Sequence, residues 1–455
     1  MLTRLASGLD KFIFCGLLAV IVLAVLPYGA VDAWWQAAVE CAVFALTALW
    51  LVEGLFSGRY EIKRLSVLLP LLLITAYAFA QIINLPVSWQ GANGLRHSIT
   101  IDRYQTFITA RKMLVLLLLL ALLLIHISRP SRLRWLARLL IGLGVLSAVF
   151  GIMRQLAQSP DSTSGFGLPL LFYGMGYGEF LSPNAFAYVV EMSYGLLIGM
   201  ALGGGVKRNV IALYFAAAVI VSAALVLSNS RGGIVSLICQ TIIVLFAGLG
   251  RLLPRRADGE GEISLLRSIS TSPLARIVII LVLIGTVVIA VSWMGGEQLA
   301  TKVERSSLSQ AGLDGTSRKE IWYSTWQLIK HHPVTGVGFG TYFLAIPQYQ
   351  LGSGSVRLEQ AHNEYLDLAA NGGLIAVLLG AWFVAVVIRR SRTSLRSHDG
   401  YRRAVALGAG AAAIGVAIHS LVDFGLQLTG ITVMFVALLV ILMSDSRVAS
   451  LRRLR

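Results

Sequence analysis

Residues 113–125 read Met-Leu-Val-Leu-Leu-Leu-Leu-Leu-Ala-Leu-Leu-Leu-Ile and contain no charged residue, glycine or proline. They form the centre of an apolar run over 110–128, which is long enough for a helix that crosses the hydrocarbon core of a bilayer. Similar runs recur along most of the chain. This pattern predicts an integral membrane protein whose fold is decided by spanning helices.

The composition excludes a soluble class. Of the 455 residues, 56% are hydrophobic and only 13% are charged, whereas a soluble domain carries about 25% charged residues. So few charges cannot cover a soluble surface. The lengths of the apolar runs fit helices rather than a barrel, whose strands alternate apolar and polar residues over about 10 positions.

We therefore predict an all-α integral membrane protein with about 12 transmembrane helices. The predicted spans are 12–28, 34–55, 65–85, 110–128, 135–156, 183–203, 209–228, 232–253, 275–295, 363–388, 403–422 and 428–445. Residues 1–455 are predicted to form a single polytopic membrane domain. Residues 296–362 are predicted to be a helical periplasmic insert between the ninth and tenth spans.

The basic residues indicate the orientation of the chain. Its net charge is +16, but most Lys and Arg residues lie in short loops beside apolar spans. That is the positive-inside pattern rather than a nucleic-acid-binding surface, so no nucleic-acid partner is expected. With these loops in the cytoplasm, both termini are cytoplasmic and the long polar loops 86–109, 157–182 and 296–362 lie outside.

The sequence predicts no metal site and no cofactor. Cys15, Cys41 and Cys239 lie within apolar runs and have neither metal-ligand spacing nor a disulfide framework. His331 and His332 are adjacent and lack a third ligand, so they resemble a metal pair only weakly.

Two outward-facing arginines stand close to membrane depth. Arg231 lies in Leu227-Ser-Asn-Ser-Arg-Gly-Gly233, a very short turn between two apolar spans, and Arg154 lies near the outer end of the fifth span. An ionisable group at this depth is costly and is a candidate for function, although an arginine can also extend to the lipid head groups. Guanidinium binds phosphate oxygens in a fixed fork, so a lipid pyrophosphate suits Arg231.

The polar insert is predicted to contain a helix that begins at Ser317. Ser317 and Glu320 have the spacing of a capping box. Trp322, Trp326 and Ile329 follow at helical spacing and predict one apolar face. The helix is expected to lie along the membrane surface.

Arg318 and Lys319 fall in the first turn of that helix. The helix N-terminus already carries positive potential, so cations there do not favour helix stability. Their placement is consistent with an anion site or with a solvated helix end.

The next segment reverses the chain. Pro333 and the alternating glycines Gly336, Gly338 and Gly340 end the helix and predict a tight turn. They resemble a nucleotide-binding loop only superficially, because no strand precedes them and the loop is predicted to lie outside the cytoplasm.

His362 precedes the tenth span, next to Glu364 and Asp367. A histidine in this position could act as a general base, because its pKa lies near working pH, or could cap a helix. His419 and Asp423 stand four residues apart near the outer end of the eleventh span, where they could pair on one helix face. Glu40 and Glu191 are intramembrane carboxylates without an assignable partner.

These motifs together resemble the O-antigen ligase/polymerase superfamily. They are Ser228-Asn-Ser-Arg-Gly-Gly233, the helix from Arg318 to Trp322, Pro333-Val-Thr-Gly-Val-Gly-Phe-Gly340, His362-Asn-Glu-Tyr-Leu-Asp-Leu with the following Asn371-Gly-Gly, Pro183-Asn-Ala-Phe-Ala187, and His419-Ser-Leu-Val-Asp-Phe424. Each motif alone is weak, but their order over roughly residues 180 to 430 is specific.

The resemblance implies a metal-independent, GT-C-like glycosyltransferase of the bacterial inner membrane. Such enzymes move a glycan from an undecaprenyl-pyrophosphate-linked donor to a glycan or lipid A core acceptor on the periplasmic side. The resemblance assigns His362 as the base, and Arg231 and Arg318 to the pyrophosphate. The residues expected to bind substrate are Arg154, Asn184, Lys319, Asn363 and Glu364.

The resemblance leaves an O-antigen or exopolysaccharide polymerase and an O-antigen ligase open. A transporter is an alternative, since about 12 spans with cytoplasmic termini suit one, but no matching half-repeats or paired broken helices are evident. A scaffold subunit of an envelope complex is a third hypothesis.

Overall fold

The described part of the chain is almost entirely helical. A computed structural model describes residues 2–60, 64–84, 98–157, 177–252, 317–351 and 357–444. The first eight helices are α1 (Leu2–Val25), α2 (Ala33–Ser57), α3 (Leu65–Ala80), α4 (Arg103–His126), α5 (Pro130–Ala157), α6 (Pro183–Leu202), α7 (Arg208–Leu227) and α8 (Arg231–Leu252). They are followed by α9 (Arg318–His331), α10 (Tyr342–Ala345), α11 (Glu364–Leu395), α12 (Gly400–His419) and α13 (Thr429–Leu442). Short 3-10 helices cover Ile346–Gln348 and Gly425–Gln427.

The prediction of an all-α membrane protein is confirmed. Eight of the described helices (α1, α2, α4, α5, α6, α7, α11 and α12) are long and apolar enough to cross a membrane, and α3, α8 and α13 are shorter apolar helices. Together they coincide with all the predicted spans except the ninth, 275–295, which lies outside the described residues. The described ranges contain no β-strand, only two isolated bridges, because helices satisfy every backbone hydrogen bond within one apolar segment.

The helices alternate in direction, so each connection lies at one of two ends of the bundle. The starts of α6, α8 and α11 meet the end of α12, and we call this the site end. Ser230 before α8 bonds to Asn184 in α6, and the amide of Glu364 in α11 bonds to the carbonyl of Ser420 after α12. At the opposite end, Asp10 in α1 pairs with Arg132 in α5 close to the end of α4.

The central helix is α6, which packs backbone to backbone against α12. Gly195, Gly199 and Gly203 follow one another at four-residue spacing, facing Gly408 and its small neighbours on α12. A Cβ atom on Gly199 would stand 2.2 Å from the Cα atom of Gly408. Because lipid tails are as apolar as the helices, such close van der Waals packing of small residues is a main source of helix association in membranes.

The glycine-rich turn docks on an interruption in α11. Gly373 has φ 61° and breaks the helical path of α11, and a Cβ there would stand 2.2 Å from the carbonyl oxygen of Val334. The amides of Val337 and Gly338 bond to the carbonyls of Ala370 and Asn371 at 3.0 Å each. The glycines therefore allow two backbones to approach closely, and they hold the insert against the start of α11.

The glycine-rich turn is also tied to the α3–α4 connection. The side-chain amide nitrogen of Gln81 donates to the carbonyl of Thr335 at 2.9 Å, and its oxygen accepts from the amide of Phe339 at 3.0 Å. The hydroxyl of Thr106 in α4 donates to the carbonyl of Phe339 at 2.9 Å. These bonds hold the glycine-rich turn next to the end of α3 and the start of α4, at the site end of the bundle.

The capping box of α9 is present, and Trp322 and Ile329 of the predicted apolar face pack partly buried against the neighbouring core. The Ser317 side chain accepts from the amide of Glu320, and the Glu320 carboxylate accepts from the amide of Ser317. Ile321 and Leu328 are buried, whereas Trp326 is 53% exposed. The buried face of α9 is the one that meets the glycine-rich turn and the start of α11. The positions of the large aromatic residues in the sequence do not identify that face.

The contact of α6 with α12 can be tested at Gly199. We expect Gly199→Ala to destabilise the protein by about 1–3 kcal/mol, because the added methyl group would force the two backbones apart. Gly142→Ala is the matched control in another spanning helix, since a Cβ there meets nothing within 4 Å. Ala is the better helix former by up to about 1 kcal/mol, so the control should be neutral or stabilised. Thermal unfolding in detergent measures both variants, and equal midpoints would contradict the packing.

Candidate functional site

Asn363 fastens the start of α11 to the segment that follows α12. Its side-chain oxygen accepts from the amides of Tyr365 and Leu366 at 3.0 Å each, which is an N-cap interaction. Its side-chain nitrogen donates to the carbonyl of Leu421 at 2.8 Å. Asn363 is 9% exposed, so its role in this structure is to position the chain on both sides of the site.

His362 lies directly before this cap in a strained backbone conformation. Its φ of 48° is in the left-handed region, which non-glycine residues seldom adopt. The imidazole Nδ1 is 3.6 Å from a carboxylate oxygen of Asp423, and the ring packs edge-on against Phe424. The His362 side chain is 37% exposed and the Asp423 side chain only 6%, so a buried carboxylate supports an accessible imidazole.

The Asp423 carboxylate is held in its ionised form. Burial by itself raises the pKa of Asp423, but the interactions with His362, His419 and the backbone amide of Phe424 together bring it below its ordinary value. That amide donates to the carboxylate at 2.9 Å. Asp423 is therefore a fixed negative charge at working pH.

The expected pairing of His419 with Asp423 on one helix face is wrong. α12 ends at His419, so Asp423 lies beyond the helix and turns towards His362. His419 pairs instead with Glu191 in α6, Nδ1 to carboxylate oxygen, at 3.1 Å. A spacing of four residues predicts contact only while the helix continues.

Two arginines lie in the electrostatic range of this pair. Arg318 begins α9 and Arg231 begins α8. Burial lowers the pKa of the Arg318 guanidinium, the charge of Arg231 lowers it further, and the charge of Asp423 opposes both. Arg318 therefore lies within electrostatic range of both Asp423 and Arg231.

Asn184 supports the turn that carries Arg231. Its side-chain oxygen accepts from the Ser230 hydroxyl at 2.7 Å, and that hydroxyl accepts from the amide of Gly233 at 3.3 Å. Asn229 in the same turn has φ 56°. The start of α6 and the start of α8 are thus joined at the residue next to Arg231.

A fully buried layer lies beneath the site. His419 stacks on Tyr188, with ring centroids 4.0 Å apart and planes 2° apart, and its other partner is Glu191. A Cβ on Gly232 would stand 2.4 Å from the His419 ring. Only glycine fits here, so the residue after Arg231 packs directly on the end of α12.

Glu364 faces the interior of the site end. One of its carboxylate oxygens is buried and has no hydrogen-bond partner. Its charge interacts with those of Asp367, Asp423 and Lys112. Lys112 in α4 donates to the carbonyl of Gln427 at 2.5 Å, so α4 also contributes a buried cation that the sequence analysis did not single out.

The two remaining predicted substrate-binding residues are Arg154 and Lys319. Arg154 is 3% exposed and donates to the carbonyl of Gly178 at 2.6 Å. Its charge acts on Glu179, whose pKa burial raises to about 7. Lys319 follows Arg318 on α9 and is exposed.

The two intramembrane carboxylates also find partners. Glu40 pairs with Arg111 at 2.9 Å, and Glu191 pairs with His419. The sequence offered no assignment because both partners come from other helices. Among the described residues, no group of three or more His, Cys, Asp or Glu side chains is arranged to hold a metal ion.

The arrangement combines a supported base with an anion-binding surface. An accessible imidazole backed by a carboxylate can accept a proton. Neighbouring guanidinium groups can stabilise negative charge that develops on a leaving phosphate. Both functions lie at one end of the bundle, where spanning helices begin or end.

Comparison with known proteins bears on this site. No curated protein matches the chain. A family model described as O-Antigen ligase matches residues 216–381, a segment that contains Arg231, Arg318 and His362 but neither Asn184 nor Asp423. The family supports an activity of the O-antigen ligase or polymerase type in a multi-pass membrane protein. The match confirms the resemblance of this chain, over that segment, to the O-antigen ligase/polymerase superfamily.

Proposed function

We propose that the chain is a glycosyltransferase that moves an oligosaccharide from undecaprenyl pyrophosphate to an acceptor glycan. The acceptor is a growing lipid-linked glycan for a polymerase or the lipid A core for a ligase. We further propose that the site end faces the periplasm and that both termini are cytoplasmic, as the placement of basic residues indicates.

The observation that carries this proposal is the pairing of His362 with Asp423. The Nδ1 atom of His362 is 3.6 Å from a carboxylate oxygen of Asp423, which is an electrostatic contact and not a hydrogen bond. Because a carboxylate on this side of the ring favours a proton on Nδ1, we assign Nε2 as the base. The buried carboxylate stabilises the imidazolium that forms when Nε2 accepts a proton. The strained backbone of His362, held by the Asn363 cap, presents the ring at the surface of the site.

The transfer step follows from these roles. The acceptor hydroxyl attacks the anomeric carbon of the donor sugar and forms the new carbon–oxygen bond, while Nε2 of His362 takes the hydroxyl proton. The bond between the anomeric carbon and the pyrophosphate oxygen breaks, and its electron pair leaves with the lipid pyrophosphate. Pyrophosphate is already a good leaving group, so the chain needs charge stabilisation more than a strong general acid.

Arg231 and Arg318 supply that stabilisation. The two guanidinium groups repel each other, and Arg318 is also partly buried. A bound pyrophosphate, which carries more than one negative charge, would offset both the repulsion and the cost of burying a charge, so this pair of cations favours its binding. Arg231 begins α8, so its guanidinium stands at a helix N-terminus, where the positive end of the helix dipole also favours a phosphate.

Purified protein incubated with a lipid-pyrophosphate oligosaccharide tests the function. Longer lipid-linked chains identify a polymerase, and a product that forms only with added lipid A core identifies a ligase. The rate should be unchanged by EDTA, since the proposed reaction uses protein groups alone. No product with either acceptor would contradict the enzyme and favour a transporter or a scaffold.

Replacement of His362 or Arg231 should abolish transfer. We expect His362→Gln to lower the rate about 10²–10⁴-fold, the usual contribution of a general base, and Arg231→Ala to lower it comparably. His331→Gln, on the exposed side of α9, and Arg208→Ala, which removes the arginine that begins α7, are the matched controls. All four variants should insert and purify as the wild type does. Full activity of either site variant would refute the assignment.

Asp423 is expected to act through His362 rather than on the substrate. Asp423→Asn keeps the size of the side chain but removes its charge, so kcat should fall at least about tenfold while KM for the lipid donor changes little. A purely structural role would change both constants and the thermal stability together. Initial rates over a range of donor concentrations, with unfolding midpoints of both proteins, distinguish these results.

A further inference from the structure

A polar cavity of about 270 Å³ lies at the end of the bundle opposite the site. α4 connects the two ends. The amide of Ile101, just before α4, bonds to the glycine-rich turn, and α4 then runs for 24 residues to His126 in the cavity wall, about 36 Å at 1.5 Å per residue. The cavity is therefore separate from the proposed transfer site and lies at the level of the other leaflet's head groups.

Three acceptor atoms converge in this cavity around His126. The imidazole is 1% exposed, and its Nδ1 is 2.9 Å from the carbonyl of Leu122, which places the proton on Nδ1. Nε2 has no hydrogen-bond partner. It lies 3.5 Å from a carboxylate oxygen of Glu53 and 3.9 Å from one of Asp10. A buried nitrogen without a hydrogen-bond partner thus lies close to two carboxylate oxygens, and of these two the Asp10 oxygen already accepts from Arg132.

Arg132 in the cavity wall supplies a donor to Asp10 but not to His126 Nε2 or Glu53. Arg132 holds Asp10 with two bonds, at 2.8 and 2.5 Å, and also donates to the carbonyls of His126 and Asp10. The guanidinium nitrogens of Arg132 are occupied by these contacts, which fix the position of the Asp10 carboxylate. Glu53 has no such partner in the described part of the chain.

The other wall of the cavity is rich in donors. The lining contains Arg59 and Arg129, whose guanidinium groups make no hydrogen bond within the described residues, and the hydroxyls of Ser7 and Ser128. The charge of Arg129 also acts on Asp10, and the Ser57 hydroxyl already donates to backbone carbonyls. Ser128 and Arg129 also stand directly before α5, whose N-terminus adds positive potential. This wall suits a phosphate group.

We propose that the cavity binds a phosphoethanolamine group, presented by a phospholipid of the adjacent leaflet. The primary ammonium donates its three hydrogens to His126 Nε2, Glu53 and Asp10, and the phosphate accepts from Arg129, Arg59 and the serine hydroxyls. The volume is below the range of about 300–1,000 Å³ typical of drug-sized ligands, so it suits a head group rather than an oligosaccharide. Leu51 and Leu55, which are 49% and 72% exposed, lie on α2 beside the cavity and offer an apolar path for the acyl chains.

Binding of short-chain lipids to the detergent-purified full chain tests the proposal. Dihexanoyl phosphatidylethanolamine should bind saturably by calorimetry. The phosphatidylcholine analogue should bind at least about tenfold more weakly, because its trimethylammonium has no hydrogen to donate. The phosphatidylglycerol analogue, which keeps the phosphate and lacks the amine, should also be weaker. Glycerophosphoethanolamine, without acyl chains, shows whether the free group binds or only the lipid.

Two variants with a matched control locate the binding. Glu53→Gln and Arg129→Gln should each weaken phosphatidylethanolamine binding at least about tenfold, while Arg208→Gln, an exposed arginine at the same end of the bundle, should not change it. Size-exclusion profiles confirm that the variants are folded. Equal binding of all three lipids, or equal binding by the variants, overturns the proposal. Stronger binding of phosphatidylglycerol would leave a phosphate site and refute the ammonium site.

Discussion

The packing of α6 against α12 with almost no side chain between them is the contact on which the rest of the structure depends. In a bilayer, burial of apolar side chains contributes little to helix association. Close packing of the two backbones therefore has to provide the attraction between the helices. Gly199 on α6 and Gly408 on α12 make this contact possible. The same two helices carry the groups beneath the site, Glu191 and His419. The small residues of the bundle centre thus fix the positions of its polar residues.

The candidate site is assembled from helix ends rather than from a single loop. The start of α6 contributes Asn184, the start of α8 Arg231, the start of α9 Arg318, and the turn after α12 Asp423. Asn184 bonds to Ser230 in the turn before α8, and Asp423 lies against His362 before α11, so neighbouring elements are joined at the site. This arrangement suits charged chemistry beside lipid, because rigid helices hold the groups apart from the hydrocarbon while their termini reach water.

The contrast between the two buried histidines illustrates how environment decides a role. His419 and His126 are both 1% exposed, but the first is stacked on Tyr188 and bonded to Glu191, while the second has one nitrogen facing two carboxylates across a cavity. His362 differs from both, because its ring is accessible and only its Nδ1 side meets a carboxylate. In both buried histidines Nδ1 is bonded and Nε2 has no hydrogen-bond partner, so the groups around each ring, and not the number of its hydrogen bonds, distinguish the three histidines.

Particular residues show where sequence reasoning failed. Trp326 was assigned to the apolar face of α9 and is exposed, because the buried face is chosen by the glycine-rich turn and not by the size of the side chains. His419 was paired with Asp423 by spacing, although α12 stops between them. In each case the deciding contact comes from a segment distant in sequence.

Local sequence patterns were enough to predict the fold class, most of the spans and the capping box of α9, and to propose which residues carry polar chemistry near one membrane surface. Those features follow from local physics: the cost of unbonded backbone in hydrocarbon, helix periodicity and the cost of charge at membrane depth. Only the tertiary structure decided which of these residues meet. Asp423 joins His362, Glu191 joins His419, and Arg231 comes beside Arg318 because glycine contacts set the distances between helices, and no local pattern encodes those distances.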